Sequence, residues 1–211
     1  MSPRGDYELL ESEGNLMDFQ SDTGNKPMTQ FEEALAAYQN FPDHFRSIVL
    51  STVSEDGAPN ASYAPFVMDE GRNIYIYISA LSTHTRNLQT NGRASVLFIE
   101  DEGKTEQIFA RRRLTYNCTT VRLKRETDDW NQVVDRFQAR FGELIQMFRG
   151  LSDFQLYQLK PQSGRFVIGF GAAYDISADN LNDLMHVKGG GHGNRAKKQQ
   201  SDLQQTESPT A

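Results

Sequence analysis

Between two turn signals the chain reads Asn73-Ile74-Tyr75-Ile76-Tyr77-Ile78-Ser79. Alternation of β-branched and aromatic residues has a period of two, which sets Ile74, Ile76 and Ile78 on one face and Tyr75 and Tyr77 on the other. A one-sided helix cannot be built from it. Other runs of the same kind precede and follow. Ser47–Val53 and Asn60–Met68 flank Ser54-Glu55-Asp56-Gly57, a hairpin in which Gly57 supplies positive φ. Ala94–Glu100, Arg113–Lys124, Phe154–Leu159 and Arg165–Phe170 read as further strands, with Tyr174–Ile176 a short last one. Many short strands joined by turns predict a mainly β fold, and closure into a barrel removes the exposed edges.

Helical spacing is confined to three places. Thr29–Tyr38 predicts a leading helix and Ser82–Thr90 a second. Trp130, Val133, Val134, Phe137, Phe141, Leu144, Ile145 and Phe148 recur at steps of three and four, one stripe on one long helix. Thr127 or Asp128 can cap its start and Gly150 follows its end. The stripe reads as core packing.

The ends differ from this middle. Residues 1–29 and 187–211 are polar with few large apolar groups, too few to offset the cost of ordering their backbone. A disordered leader, a barrel domain over 30–186 and a flexible Gly-His tail are therefore expected. A net charge of −6 argues against general nucleic-acid binding. No apolar run reaches the roughly eighteen residues that span a bilayer, and the start lacks a secretory h-region. The single cysteine, Cys118, falls in a strand pattern, as a buried inert thiol would. A reducing, cytoplasmic setting is expected.

Val53 through Phe66 (VSEDGAPNASYAPF) resembles the opening hairpin of the pyridoxamine-phosphate-oxidase-like, flavin-binding split-barrel superfamily. So does Ser79–Asn91 (SALSTHTRNLQTN) followed by Arg93-Ala94-Ser95-Val96-Leu97. Phe109-Ala110-Arg111-Arg112-Arg113-Leu114-Thr115 is similar to a run of the HugZ/HutZ-type haem-utilisation branch. Gly164–Tyr174 with Leu184-Met185-His186 and Gly191-His192 resembles that branch's C-terminal signature. The likeness spans about Phe45 to His192. It implies a homodimer of six-stranded-type split barrels with cofactor sites at the seam. In the haem branch it further implies haem binding and oxidative opening of the macrocycle to release iron. The tail His186-Val187-Lys188-Gly189-Gly190-Gly191-His192 is more glycine-rich than the branch pattern.

Haem iron takes a nitrogen or sulfur axial ligand, usually neutral imidazole. The histidines are His44, His84, His186 and His192. His192 matches the branch's terminal-loop ligand, with His186 its competitor; a solvated histidine on a loose end is the plain alternative. Asp153 stands where the branch places an acid that orients the imidazole, reaching across the dimer, and is the candidate catalytic residue; a turn aspartate would look the same. Ser79, Thr83, Arg86 and Asn87, with His84 among them, would face the phosphate of FMN in a flavin-binding relative. Arg46 and the Arg111-Arg112-Arg113 run suit a phosphate or haem propionates, and strand alternation turns only one or two of the run inward. No Cys/His cluster suggests structural zinc. Three functions stay open: a haem-degrading oxygenase, an FMN oxidoreductase, and a non-catalytic haem carrier.

Overall fold

The computed structural model describes residues 28–187. The leader and tail expected to be disordered lie almost wholly outside them, and so does His192. Helix α1, Gln30–Asn40, starts at a capping box. Glu32 N donates to Thr29 Oγ1 at 3.2 Å while Thr29 N donates to the Glu32 carboxylate at 2.6 Å. The helix outlasts the expected span and tightens into a 3₁₀ turn, Phe41–His44, with Pro42 in its first turn.

Strands β1 (Ser47–Val53) and β2 (Pro59–Met68) form the foreseen hairpin, with Gly57 at φ 88°. Strand β3 is Ile74–Ser79, helix α2 Thr83–Thr90, β4 Arg93–Ile99 and β5 Arg113–Arg122. Then come α3 (Asp128–Phe141), α4 (Leu144–Gly150), β6 (Phe154–Gly169), β7 (Ala172–Ser177) and β8 (Asn180–His186). All pairings are antiparallel, in the order β3-β2-β1-β4-β5-β6-β7-β8. The start of β6, Phe154–Leu159, also pairs with β3, so the strands from β1 to β6 close a barrel. Past Leu159 the strand leaves β3, and from Ser163 it pairs with β7 instead, which splits the barrel open on that side.

Both faces of β3 are buried. Ile74, Ile76 and Ile78 fill the barrel interior with Leu50, Phe66, Phe98, Leu114 and Phe166. Tyr75 and Tyr77 pack outside against Trp130, Val133, Val134 and Phe137 of α3 and Ile145 of α4. The apolar stripe covers the barrel as expected.

Three elements differ from their sequence pattern. The long helix is two, because Gly142 sits at φ 82° and ends α3 before α4 resumes the same stripe. The two strands expected at 154–159 and 165–170 are one strand of 16 residues. Pro161 fits because β5 and β6 change register there: Asn117 faces Ser163 and Cys118 faces Pro161, leaving Gln162 as the bulge residue. Finally, β8 follows the strand expected to be last, so His186 ends a paired strand and does not open a tail.

A buried arginine fastens β8 to the barrel. Arg72 (φ 62°, 6% exposed) donates to Asn182 Oδ1 at 3.2 Å, to Tyr116 Oη at 3.4 Å and to the Gln39 carbonyl at 3.3 Å. Its guanidinium lies 4.3 Å from the Tyr38 ring centroid, and Tyr38 Oη donates to the Leu181 carbonyl at 2.6 Å. Among the described residues no helix is long and apolar enough to cross a membrane.

Candidate functional site

The end of β3 and the start of β6 meet side by side, Ser79 opposite Phe154. There Ser79 Oγ donates to Asp153 Oδ2 at 2.8 Å, and Ala80 N donates to the Asp153 carbonyl at 2.9 Å. Two candidate site residues far apart in sequence are thus joined. Asp153 is a turn residue, half-buried, whose carboxylate is held in one orientation by a neighbouring strand end.

Helix α2 leaves the same corner, anchored by Thr85 Oγ1 donating to the Ser79 carbonyl at 2.6 Å. Its candidates part onto two faces. Thr83 and Arg86 stay outside, the guanidinium folded back onto Thr83 Oγ1 and the Leu81 carbonyl, each at 3.2 Å. His84 and Asn87 turn toward the barrel. Asn87 is 5% exposed and its amide donates to Thr52 Oγ1 at 2.9 Å. Asn87 is thus engaged in the packing of α2 on β1, while Thr83 and Arg86 remain exposed at the helix start.

His84 Nδ1 lies 3.0 Å from Ser62 Oγ, and that hydroxyl already gives its proton to the Leu50 carbonyl at 3.2 Å. The imidazole therefore carries its proton on Nδ1 and donates it to Ser62. Nε2 is left as a buried acceptor with no partner among the described residues. Burial pushes the His84 pKa below its usual value of 6.5.

Arg46 and Arg111 come together in a cleft of about 790 Å³ between the α1 end and the β4–β5 connection. Phe41, Phe45 and Ile99 supply apolar wall; Lys104 and Arg112 add charge, against Glu100 and Asp101. Arg111 is held by the Glu100 carbonyl and by Glu102 at 2.9 Å. Arg46 lies 5.4 Å from the Phe141 ring centroid. Arg113 faces Ile99 in register, and its guanidinium donates to the Arg111 carbonyl at 3.0 Å. His44 also lines the cleft. The sequence reading gave it no role, although its place two residues before Arg46 was the available signal.

The remaining candidates lie apart. His186 faces Tyr174, ring centroids 5.2 Å apart and edge-on, and is exposed at the far end of β8. Cys118 is buried, and burial pushes its thiol up to about 12, so it is no nucleophile at neutral pH. A cleft with one apolar wall, Phe41, Phe45 and Ile99, and an excess of cations on its polar side suits a flat amphiphilic dianion such as haem.

A family model described as pyridoxamine 5'-phosphate oxidase matches residues 34–168. The heme oxygenase HutZ of Vibrio cholerae serotype O1 is 40% identical over 152 residues, which is 72% of this chain and 86% of HutZ. A crystal structure of Vibrio cholerae HutZ, described as the heme storage protein, superposes with a TM-score of 0.57 at 35% identity, covering 63% of this chain and 91% of that one. Campylobacter jejuni ChuZ superposes with a TM-score of 0.67 at 36% identity, over 77% of this chain and 65% of that one.

Proposed function

The chain belongs to the pyridoxamine 5'-phosphate oxidase family, and we propose that this member binds haem and opens the macrocycle oxidatively, releasing iron. The observation that carries this reading is 40% identity across 86% of the heme oxygenase HutZ. The cationic cleft supports it independently, because propionates need cations beside an apolar wall.

Haem, when bound, would supply the redox chemistry with dioxygen and an external reductant. The chain's own part is holding and orienting. Arg46 and Arg111, with Arg112 and Lys104, would take the propionates, and Arg113, outside the cleft lining, would support Arg111 through its carbonyl. His192, or His186 in its place, would hold the iron. Asp153, fixed by Ser79, would accept the second N–H of that imidazole and so set its tautomer. For Asp153 to serve a site at another subunit's cleft the protein acts as a homodimer. An uncovered sheet face accords with that: Tyr63 is 70% and Val49 39% exposed, directly opposite each other on β2 and β1. A lone buried thiol accords with a cytoplasmic setting.

Haem storage without turnover is the second reading, favoured by the likeness to Vibrio cholerae HutZ as a heme storage protein. FMN oxidoreduction rests on the family and on Thr83 and Arg86 at the start of α2.

The test is optical. Hemin added to the purified protein gives a Soret band that shifts or collapses in His192→Ala and is kept in His186→Ala. Ascorbate in air then bleaches the band and frees iron to a ferrous chelator. A stable band under ascorbate turns the reading to storage. Tight FMN binding with no hemin spectrum overturns haem altogether.

A further inference from the structure

Two phenyl rings stand in solvent beside the cationic cleft, Phe109 at 83% and Phe170 at 72% exposure. Phe109 is the middle residue of the 3₁₀ turn Ile108–Ala110, closed by Ala110 N donating to the Gln107 carbonyl at 2.9 Å. Phe170 tips the β6–β7 turn, followed by Gly171 at φ 70°. Both rings project from tight turns.

The turns are neighbours. Gln107 and Ala110 line a cavity of about 230 Å³ together with Ile168 and Gly169. That cavity shares Glu100, Lys104 and Arg112 with the larger cleft, and Glu106 also lines it. The turns that carry the two rings therefore adjoin the cationic cleft, although neither ring lines it.

Exposed aromatic surface rimmed by cations is matched by a ligand with a broad apolar face and carboxylates at one edge. The larger cleft sets Arg46, Lys104, Arg111 and Arg112 against Glu100 and Asp101, so the carboxylates of a porphyrin would meet an excess of opposite charge there. Resting on the haem reading, we infer that Phe109 and Phe170 form the apolar wall on which the macrocycle lies while its propionates reach the cleft arginines. The wall acts on the ring and is independent of the iron ligand.

Iron-free protoporphyrin IX isolates that contribution, since it keeps the ring and propionates and needs no axial ligand. Wild-type protein is expected to bind it, read by porphyrin fluorescence. Phe109→Ser and Phe170→Ser each weaken binding about tenfold and the double variant about a hundredfold, for hemin and protoporphyrin alike. Phe109→Leu and Phe170→Leu retain most of the affinity, and gel filtration shows no change of oligomeric state. A double variant that binds both porphyrins like wild type overturns the wall and leaves the haem reading standing. A double variant that loses its oligomeric state while porphyrin affinity persists assigns the rings to a contact between copies and overturns it too. Wild-type protein that binds no hemin sinks the underlying haem reading first.

Discussion

Ser79 donates its hydroxyl proton to the Asp153 carboxylate across 2.8 Å, tying the last residue of β3 to the turn that starts β6. The bond closes the barrel at the corner from which α2 departs. Ser79→Ala should cost about 1 kcal/mol in urea unfolding, the usual net worth of one such bond. Asp153→Asn should keep hemin affinity within a few-fold and slow bleaching under ascorbate. Equal bleaching rates in Asp153→Asn and wild type would remove the acid from the proposed chemistry.

His84 makes stability depend on pH. Its folded pKa lies below the unfolded value of 6.5, because burial disfavours the imidazolium. As pH falls below that value the unfolded chain takes up a proton that the folded chain does not, so stability is lost on acidification toward the folded pKa. His84→Gln should flatten the fall of Tm between about pH 7 and pH 5. An unchanged slope would assign the acid sensitivity to other groups.

Arg72 should be among the costliest side chains to remove outside the apolar core. Arg72→Ala leaves Tyr116 Oη and Asn182 Oδ1 without their donor and keeps a positive φ, so a loss of about 2–4 kcal/mol is expected. Arg72→Gly relieves the backbone and should be about 1 kcal/mol less harmful than alanine. Amide exchange in β8 reads the local effect, with Asn182 and Leu184 losing protection first.

Gly164 admits no side chain. A Cβ there would stand 2.7 Å from both the Thr115 carbonyl oxygen and the Tyr116 ring, in the middle of the β5–β6 ladder. Gly164→Ala should lower stability by about 1–3 kcal/mol. Gly150→Ala meets nothing within 4 Å and should be near neutral, which gives the control. Equal Tm values for the two would mean the strands separate at little cost.

Much of this was legible because strand and helix periods are local properties. The alternation in Asn73–Ser79, the Gly57 hairpin and the Trp130-to-Phe148 stripe each name their own buried face. The misses share one cause. Pro161 reads as a strand breaker until Cys118 and Asn117 on β5 absorb the extra residue in a bulge. Strand β8 buries only Leu184, so it has no alternation to read; its order comes from Arg72 and Tyr38, remote in sequence. Gly142 was a visible break that the continuous stripe on either side concealed.

Sequence alone settled that the chain closes antiparallel strands under an amphipathic helix, since hydrophobic period decides which face seeks the interior. It also held the motifs that mark the family. Only the folded chain decided which candidates share a place: Ser79 with Asp153, Arg46 with Arg111, His84 with Ser62 and Asn87 with Thr52. Those meetings depend on strand register and closure, which arise from contacts between distant segments and leave no periodic trace in any one of them.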